Sequence, residues 1–182
     1  MNAFSEGMAA HDFAVARFEF AYMGARRTGG SKRPPPRVER LMGEFCDAIS
    51  ALSASTPLII GGKSLGGRVA SMIAQQEYEA DRLSGLLCLG YPFHPPGRPE
   101  KLRTAHLADL TLPFLIVQGT RDPFGNADEL PEYGLPSSAD IHWAVDGDHN
   151  LTPRKKSGRT EEGNWREACD AIAAWVEQTG IG

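Results

Sequence analysis

Between Pro57 and Ala74 the chain changes character three times within a few residues. Pro57-Leu58-Ile59-Ile60-Gly61 is a short apolar run bounded by Pro and Gly, the pattern of a buried strand. Gly62-Lys63-Ser64-Leu65-Gly66 is a G-x-S-x-G pentapeptide, and Gly67-Arg68-Val69-Ala70-Ser71-Met72-Ile73-Ala74 continues with helical spacing. Strand, sharp turn and helix in that order put Ser64 on a tight bend, in a strained backbone conformation with its hydroxyl exposed. Gly62 and Gly66 are expected to let strand and helix approach closely. The Leu65 N–H, at the start of the helix, would face any negative charge developing beside Ser64. In a chain with 20 Gly the pentapeptide alone is a weak signal. A Gly-rich turn with an incidental serine fits it too, so the context downstream has to decide.

A length of 182 residues suits one domain, taken as 1–182, with a full core. The 41% hydrophobic content is ordinary for a globular chain. No apolar run approaches membrane-spanning length, and the N-terminus lacks a basic-then-apolar leader, so a soluble cytoplasmic protein is expected, with no membrane partner. Cys46, Cys88 and Cys169 are far apart and sit in apolar patterns, which favours buried free thiols over disulfides or metal ligands. A net charge of −4 gives no global reason to bind nucleic acid.

Strand patterns recur at 13–20, 57–61, 83–89, 113–118 and 141–145. In the first, Arg17 and Glu19 alternate with apolar neighbours. Helical patterns fall at 1–11, 37–54, after the elbow, 103–110 and 161–178. The buried face of the last helix reads as Trp165, Cys169, Ile172 and Val176. A loop rich in Gly, Pro and Arg covers 24–37. Apolar strands alternating with helices predict an α/β fold with a mostly parallel sheet of about five strands.

In an open parallel sheet the chemistry gathers at the carboxyl ends of the strands. Three such ends carry Ser64, Asp122 and His149. A serine hydroxyl needs a neutral imidazole to take its proton, and that ring needs an acid to fix its tautomer. Asp122 could instead brace the Asp122-Pro123 turn or cap a short helix. Asp128, Asp146 and Asp148 are rival acids, the last two very close to His149 in sequence. His94, in a loop near the same edge, is a candidate substrate contact, as are Lys63 and Arg121. Lys63 could equally face solvent. His142 falls inside a strand and reads as structural; His11 and His106 read as surface or helix-end residues.

Five stretches carry a resemblance spread over most of the chain: Arg17-Phe18-Glu19-Phe20-Ala21-Tyr22-Met23, Gly61 to Arg68, Gly90-Tyr91-Pro92-Phe93-His94-Pro95, Gln118-Gly119-Thr120-Arg121-Asp122 and Gly147-Asp148-His149. With them the chain resembles an α/β-hydrolase in the dienelactone-hydrolase-like range. More specifically it is similar to a small branch that includes a subunit of the NSL chromatin complex. The resemblance implies a three-layer sandwich, with Ser64 as nucleophile, Asp122 as orienting acid, His149 as general base and Leu65 N–H as an oxyanion donor. It implies a serine hydrolase acting on a small ester or thioester, with no cofactor and no metal; the alternative is an inert interaction module on the same fold. The family pattern also has a strand and a Gly-rich oxyanion loop before the first helix, and the likeness here begins at that helix. The expectation is an N-terminally shortened chain, lacking one oxyanion donor and a strand between 13–20 and 57–61. Either those two strands pair directly, or another chain, such as a second copy in a homodimer, fills the gap, or the fold is opened there.

The loops expected at the catalytic edge are basic. They hold Arg26, Arg27, Lys32, Arg33 and Arg37, then Arg98, Lys101 and Arg103, then Arg154, Lys155, Lys156 and Arg159, with Glu100 as the one acid. Such a rim predicts a substrate bearing a carboxylate or phosphate, unless the charges are simply solvated. No aromatic residues interleave with them, so nucleic acid is not expected.

Overall fold

The computed structural model describes residues 1–27, 29, 34–52 and 57–181. Four strands, β1 Ile59–Lys63, β2 Gly85–Leu89, β3 Phe114–Gly119 and β4 Ala139–Ala144, form one parallel sheet in the order β1-β2-β3-β4. Helices α1 Asn2–Ala9, α2 Ala21–Arg27, α3 Val38–Leu52, α4 Leu65–Glu79 and α5 Glu161–Thr179 complete the regular structure. The 103–110 stretch, expected as a helix, makes one 3₁₀ turn at Ala105–Leu107.

The two-residue period of the strands divides the core. Ile60, Leu86, Cys88, Phe114 and Ile116 point to the side where α3 and α4 pack, with Leu41, Phe45, Val69 and Ile73. Leu89, Leu115 and Val117 point to the other side, against Phe4 and Met8 of α1 and Ala168, Ile172 and Trp175 of α5. The result is the expected three layers. Trp165 is only partly buried, and Trp175 and Ala168 take the place expected for it. Thr160 caps the start of α5, accepting the Gly163 N–H at 3.0 Å, and Gly180 ends it in the left-handed region at φ 65°. All three cysteines are free thiols, with Cys88 and Cys169 buried. Among the described residues no helix is long and apolar enough to cross a membrane.

Residues 13–20 form no strand. They cross from the α5 side, where Phe13 packs, to the α3 side, where Phe20 is buried. Alternation of side chains is only half of a strand; the other half is a neighbouring backbone, and among the described residues β1 is paired on its β2 side alone. Local contacts hold the segment instead. Arg17 donates to Asn2 at 2.6 Å, Glu19 pairs with Arg27, and Phe18 packs on Phe20 and Phe45 while staying 45% exposed. The described sheet therefore has four strands rather than five, and 13–20 does not pair directly with β1. The helix α2 fills part of the expected 24–37 loop. Lys32 and Arg33 of that loop lie outside the described residues.

Candidate active site

Ser64 joins β1 to α4 with φ 53° and ψ −117°, a conformation that costs a non-glycine residue about 1–3 kcal/mol. Its N–H donates to Leu89 O at 2.9 Å, which ties the bend to the end of β2. Its side chain does not cap α4, so the hydroxyl is left for other work. The bend is possible because strand and helix nearly touch. A Cβ on Gly62 would lie 2.8 Å from Gly66 C, and one on Gly67 would lie 2.6 Å from Gly62 O. Gly66, expected in that role, faces open space; Gly67 is the second glycine of the crossing. The Leu65 N–H opens α4, where the first amides have no carbonyl within the helix to bond.

His149 lies in the loop after β4. Its Nε2 is 2.9 Å from Ser64 Oγ and its Nδ1 is 2.8 Å from Asp122 Oδ2. Asp122 follows β3 and is 1% exposed. An aspartate accepts only, so the Asp122 contact assigns the ring proton to Nδ1 and leaves the Nε2 lone pair facing the serine. Asp122 is itself held at both oxygens: Gln118 Nε2 donates to Oδ2 at 3.0 Å and the Phe124 N–H donates to Oδ1 at 2.8 Å. The His149 loop is fastened by Asn164 of α5, fully buried, whose Nδ2 donates to Leu151 O at 2.7 Å. Gly90, at φ 62°, lets the end of β2 pass under the imidazole, where a Cβ would come within 3.0 Å of His149 O. The Phe124 ring covers the imidazole at 4.4 Å between centroids.

The structure thus brings Ser64, Asp122 and His149 together and separates them from the rival acids. Asp146 is engaged by Arg154 and Arg121; the hydrogen bonds from Arg154 hold its carboxyl down at about 2. Asp148 accepts the N–H groups of Asn150 and Thr152 in its own turn, and Asp128 is exposed. His142 lies inside β4 as expected, half-buried, with its Nε2 unbonded among the described residues.

The expected substrate contacts fare differently. Lys63 donates to Asn150 Oδ1 at 2.7 Å, and desolvation lowers its pKa despite the nearby Asp122 and Asp148. Arg121 is committed to Asp146, through its carboxylate and through the Asp146 carbonyl at 3.0 Å. His94 is 3% exposed, with Nδ1 on Pro95 O at 2.9 Å and Nε2 on Glu129 Oε2 at 2.8 Å, so its ring has no free nitrogen for a substrate. The basic rim is partly neutralised: Arg154 pairs with Asp146, Arg159 with Glu167 and Arg27 with Glu19. Among the described residues no group of three or more His, Cys, Asp or Glu converges as a metal cage would.

Gln118, Phe124, Gly67 and Asn164 support the site and escaped the sequence reading. Gln118 left a trace, a single amide in a strand otherwise made of apolar residues and Gly. The other three look ordinary in sequence.

Residues 1–177 match the family described as the alpha/beta hydrolase domain. Among solved structures, the chain is similar to the esterase domain of a Rhodothermus marinus protein, with TM-score 0.66, 16% identity, and 97% of this chain and 78% of that one covered. It is similar to the monoacylglycerol lipase of Paleococcus ferrophilus, with TM-score 0.69, 14% identity, and coverage of 97% and 88%. It is also similar to a protein of the α/β superfamily from Xanthomonas campestris pv. campestris, with TM-score 0.55, 22% identity, and coverage of 93% and 88%.

Proposed function

The chain belongs to the α/β-hydrolase domain family, and on that premise we propose that it is a serine hydrolase cleaving a small carboxylic ester or thioester through an acyl-enzyme. The observation that carries this reading is the Nε2 contact of His149 with Ser64 Oγ, made by a ring whose Nδ1 is held on a buried aspartate. Ser64 Oγ attacks the scissile carbonyl while His149 Nε2 takes its proton. Asp122 keeps the imidazole in the accepting tautomer and stabilises the imidazolium that forms. The tetrahedral oxygen is stabilised at the N-terminus of α4 by Leu65 N–H. Collapse of the intermediate expels the alcohol or thiol, which receives the proton from His149. Water then repeats the sequence on the acyl-serine, releasing the acid and restoring Ser64. The relatives named above as an esterase and a lipase are consistent with this class of reaction.

A fluorophosphonate probe tests the reading directly. Wild type is expected to label covalently, and Ser64→Ala and His149→Ala are expected not to. Absence of labelling in folded wild-type protein would overturn the reading and leave an inert interaction module on the same fold.

A further inference from the structure

Successive turns of one side of α4 carry Ser64, Arg68, Ser71 and Gln75, the i, i+4, i+7, i+11 line of a helix. The lower half of that line is bonded to the loop between β2 and β3. Ser71 Oγ is 2.8 Å from His106 Nε2, and Gln75 Oε1 accepts the Thr111 N–H at 2.9 Å. The upper half has no such partner. Arg68 is half-buried, and its Nε is enclosed with no acceptor among the described residues. Arg103, three residues before His106 on the facing loop, is half-buried too, and among the described residues its guanidinium has no hydrogen bond or ion pair.

The two arginines share one hub. Ser71 donates to Arg68 O at 2.8 Å, and Tyr91 OH donates to Arg103 O at 2.9 Å while lying 3.5 Å from His106 Nε2. Their charges act on each other: burial and then the Arg68 guanidinium lower Arg103, and the same two causes lower His106. Glu129, the carboxylate on this side of the β3–β4 loop, is already taken by His94, Tyr133 and Asn126. The residues outside the described set include no Asp or Glu. Two half-buried guanidiniums whose charges are felt across the same hub, with no anion among the described residues, are unfavourable, and a fork of donors is the group best suited to a carboxylate or phosphate.

We propose that Arg68 and Arg103 form the anion-binding subsite of this enzyme, so that its substrates are esters carrying a carboxylate or phosphate a few bonds from the scissile carbonyl. The proposal rests on the serine-hydrolase reading. Arg68 stands one helical turn, about 6 Å along the axis, from Ser64. That spacing fits a monoester of a short dicarboxylic acid, with its carbonyl at Ser64 and its free carboxylate between the arginines. It also narrows the expected anion preference from the whole rim, where Arg154 and Arg159 are already paired, to one rim residue, Arg103, and its neighbour Arg68, both without an acidic partner among the described residues.

The test compares kcat/KM for mono-p-nitrophenyl glutarate with that for the neutral p-nitrophenyl hexanoate at low salt. Wild type is expected to favour the glutarate, and Arg68→Gln or Arg103→Gln to cut that preference about tenfold or more. Arg166→Gln, on the exposed side of α5, removes the same charge elsewhere and is expected to keep the preference. An unchanged preference in both arginine variants would overturn the subsite. If neither ester is hydrolysed, the hydrolase reading falls, and the subsite is then read by binding alone. Glutarate raising the melting temperature of wild type, but not of Arg68→Gln, would still support it; no difference between the two would overturn it.

Discussion

Two serines in this protein each hold a histidine Nε2 at almost the same distance, and only one of the pairs is arranged for catalysis. Ser64 and His149 are 2.9 Å apart; Ser71 and His106 are 2.8 Å apart. Ser71 sits inside α4 with ordinary helical neighbours, and its hydroxyl donates to Arg68 O. Its one proton is therefore spent, so His106 must donate from Nε2 and has no lone pair facing the serine. Burial and the Arg68 charge keep His106 neutral, and among the described residues no carboxylate turns its tautomer round. Ser64 is held at positive φ, outside the helix hydrogen-bond ladder, and Asp122 places the ring proton on the far nitrogen. The serine–histidine distance is thus the least informative part of either pair; the third group and the backbone conformation separate them.

The largest effect expected from this comparison is at Ser64, the proposed nucleophile. Ser64→Ala should lower turnover by about 10⁶-fold, to the level that binding and the Leu65 N–H supply. Next is Asp122→Asn, which keeps the shape but can present its amide N–H to Nδ1 and so favours the wrong tautomer. A loss of about 10⁴-fold in kcat is expected, with the fold intact by circular dichroism. Comparable loss from His106→Ala, whose ring lacks any such acid, would break the distinction drawn here.

How much of this was legible in the chain follows from the same contrast. The strand–turn–helix bend, the parallel strands and the three residues that meet at Ser64 could be read because each depends on local pattern: an apolar strand, then the candidate residue past its end. Residues 13–20 could not be read as a non-strand, since Arg17 and Glu19 alternate correctly and the missing element is a neighbour in space. His94 looked like a substrate contact because it sits in an edge loop. Its burial depends on Glu129, 35 positions away. Gly67 was passed over for Gly66 because the pentapeptide ends at 66, while the helix turns position 67 toward β1.

That glycine pair supplies the next effect in size. Gly67→Ala places a methyl against Gly62 O and should destabilise the fold by about 2 kcal/mol while displacing Ser64 from His149. Gly66→Ala meets open space in a helix and should be neutral or stabilising by up to about 1 kcal/mol. Thermal unfolding and esterase assays on both variants check the difference. Ser71→Ala removes two hydrogen bonds, to Arg68 O and from His106 Nε2, should cost about 1–3 kcal/mol of stability, and should leave fluorophosphonate labelling at Ser64 intact. Loss of labelling in that variant would mean that the second pair works with the first.

The smallest effect concerns a third histidine, which sharpens the rule that partners decide the role. Both His94 nitrogens face groups that only accept, the Pro95 carbonyl and the Glu129 carboxylate, so the ring is doubly protonated and cannot act as a base. Burial opposes that charge, but the hydrogen bonds to Pro95 O and Glu129 outweigh it and raise His94 above the usual histidine value. The sign then follows from linkage. A raised pKa in the folded state gives stability that is fully present below the unfolded value of about 6.5 and is lost as pH climbs through the folded one. The melting temperature of wild type should therefore fall more steeply between neutral and mildly alkaline pH than that of His94→Gln. The pair also fastens the loop that holds Asp122, since the His94 N–H donates to Phe124 O at 3.1 Å. Activity should decline along the same alkaline limb in wild type, and parallel melting curves for the two proteins would refute the charged assignment.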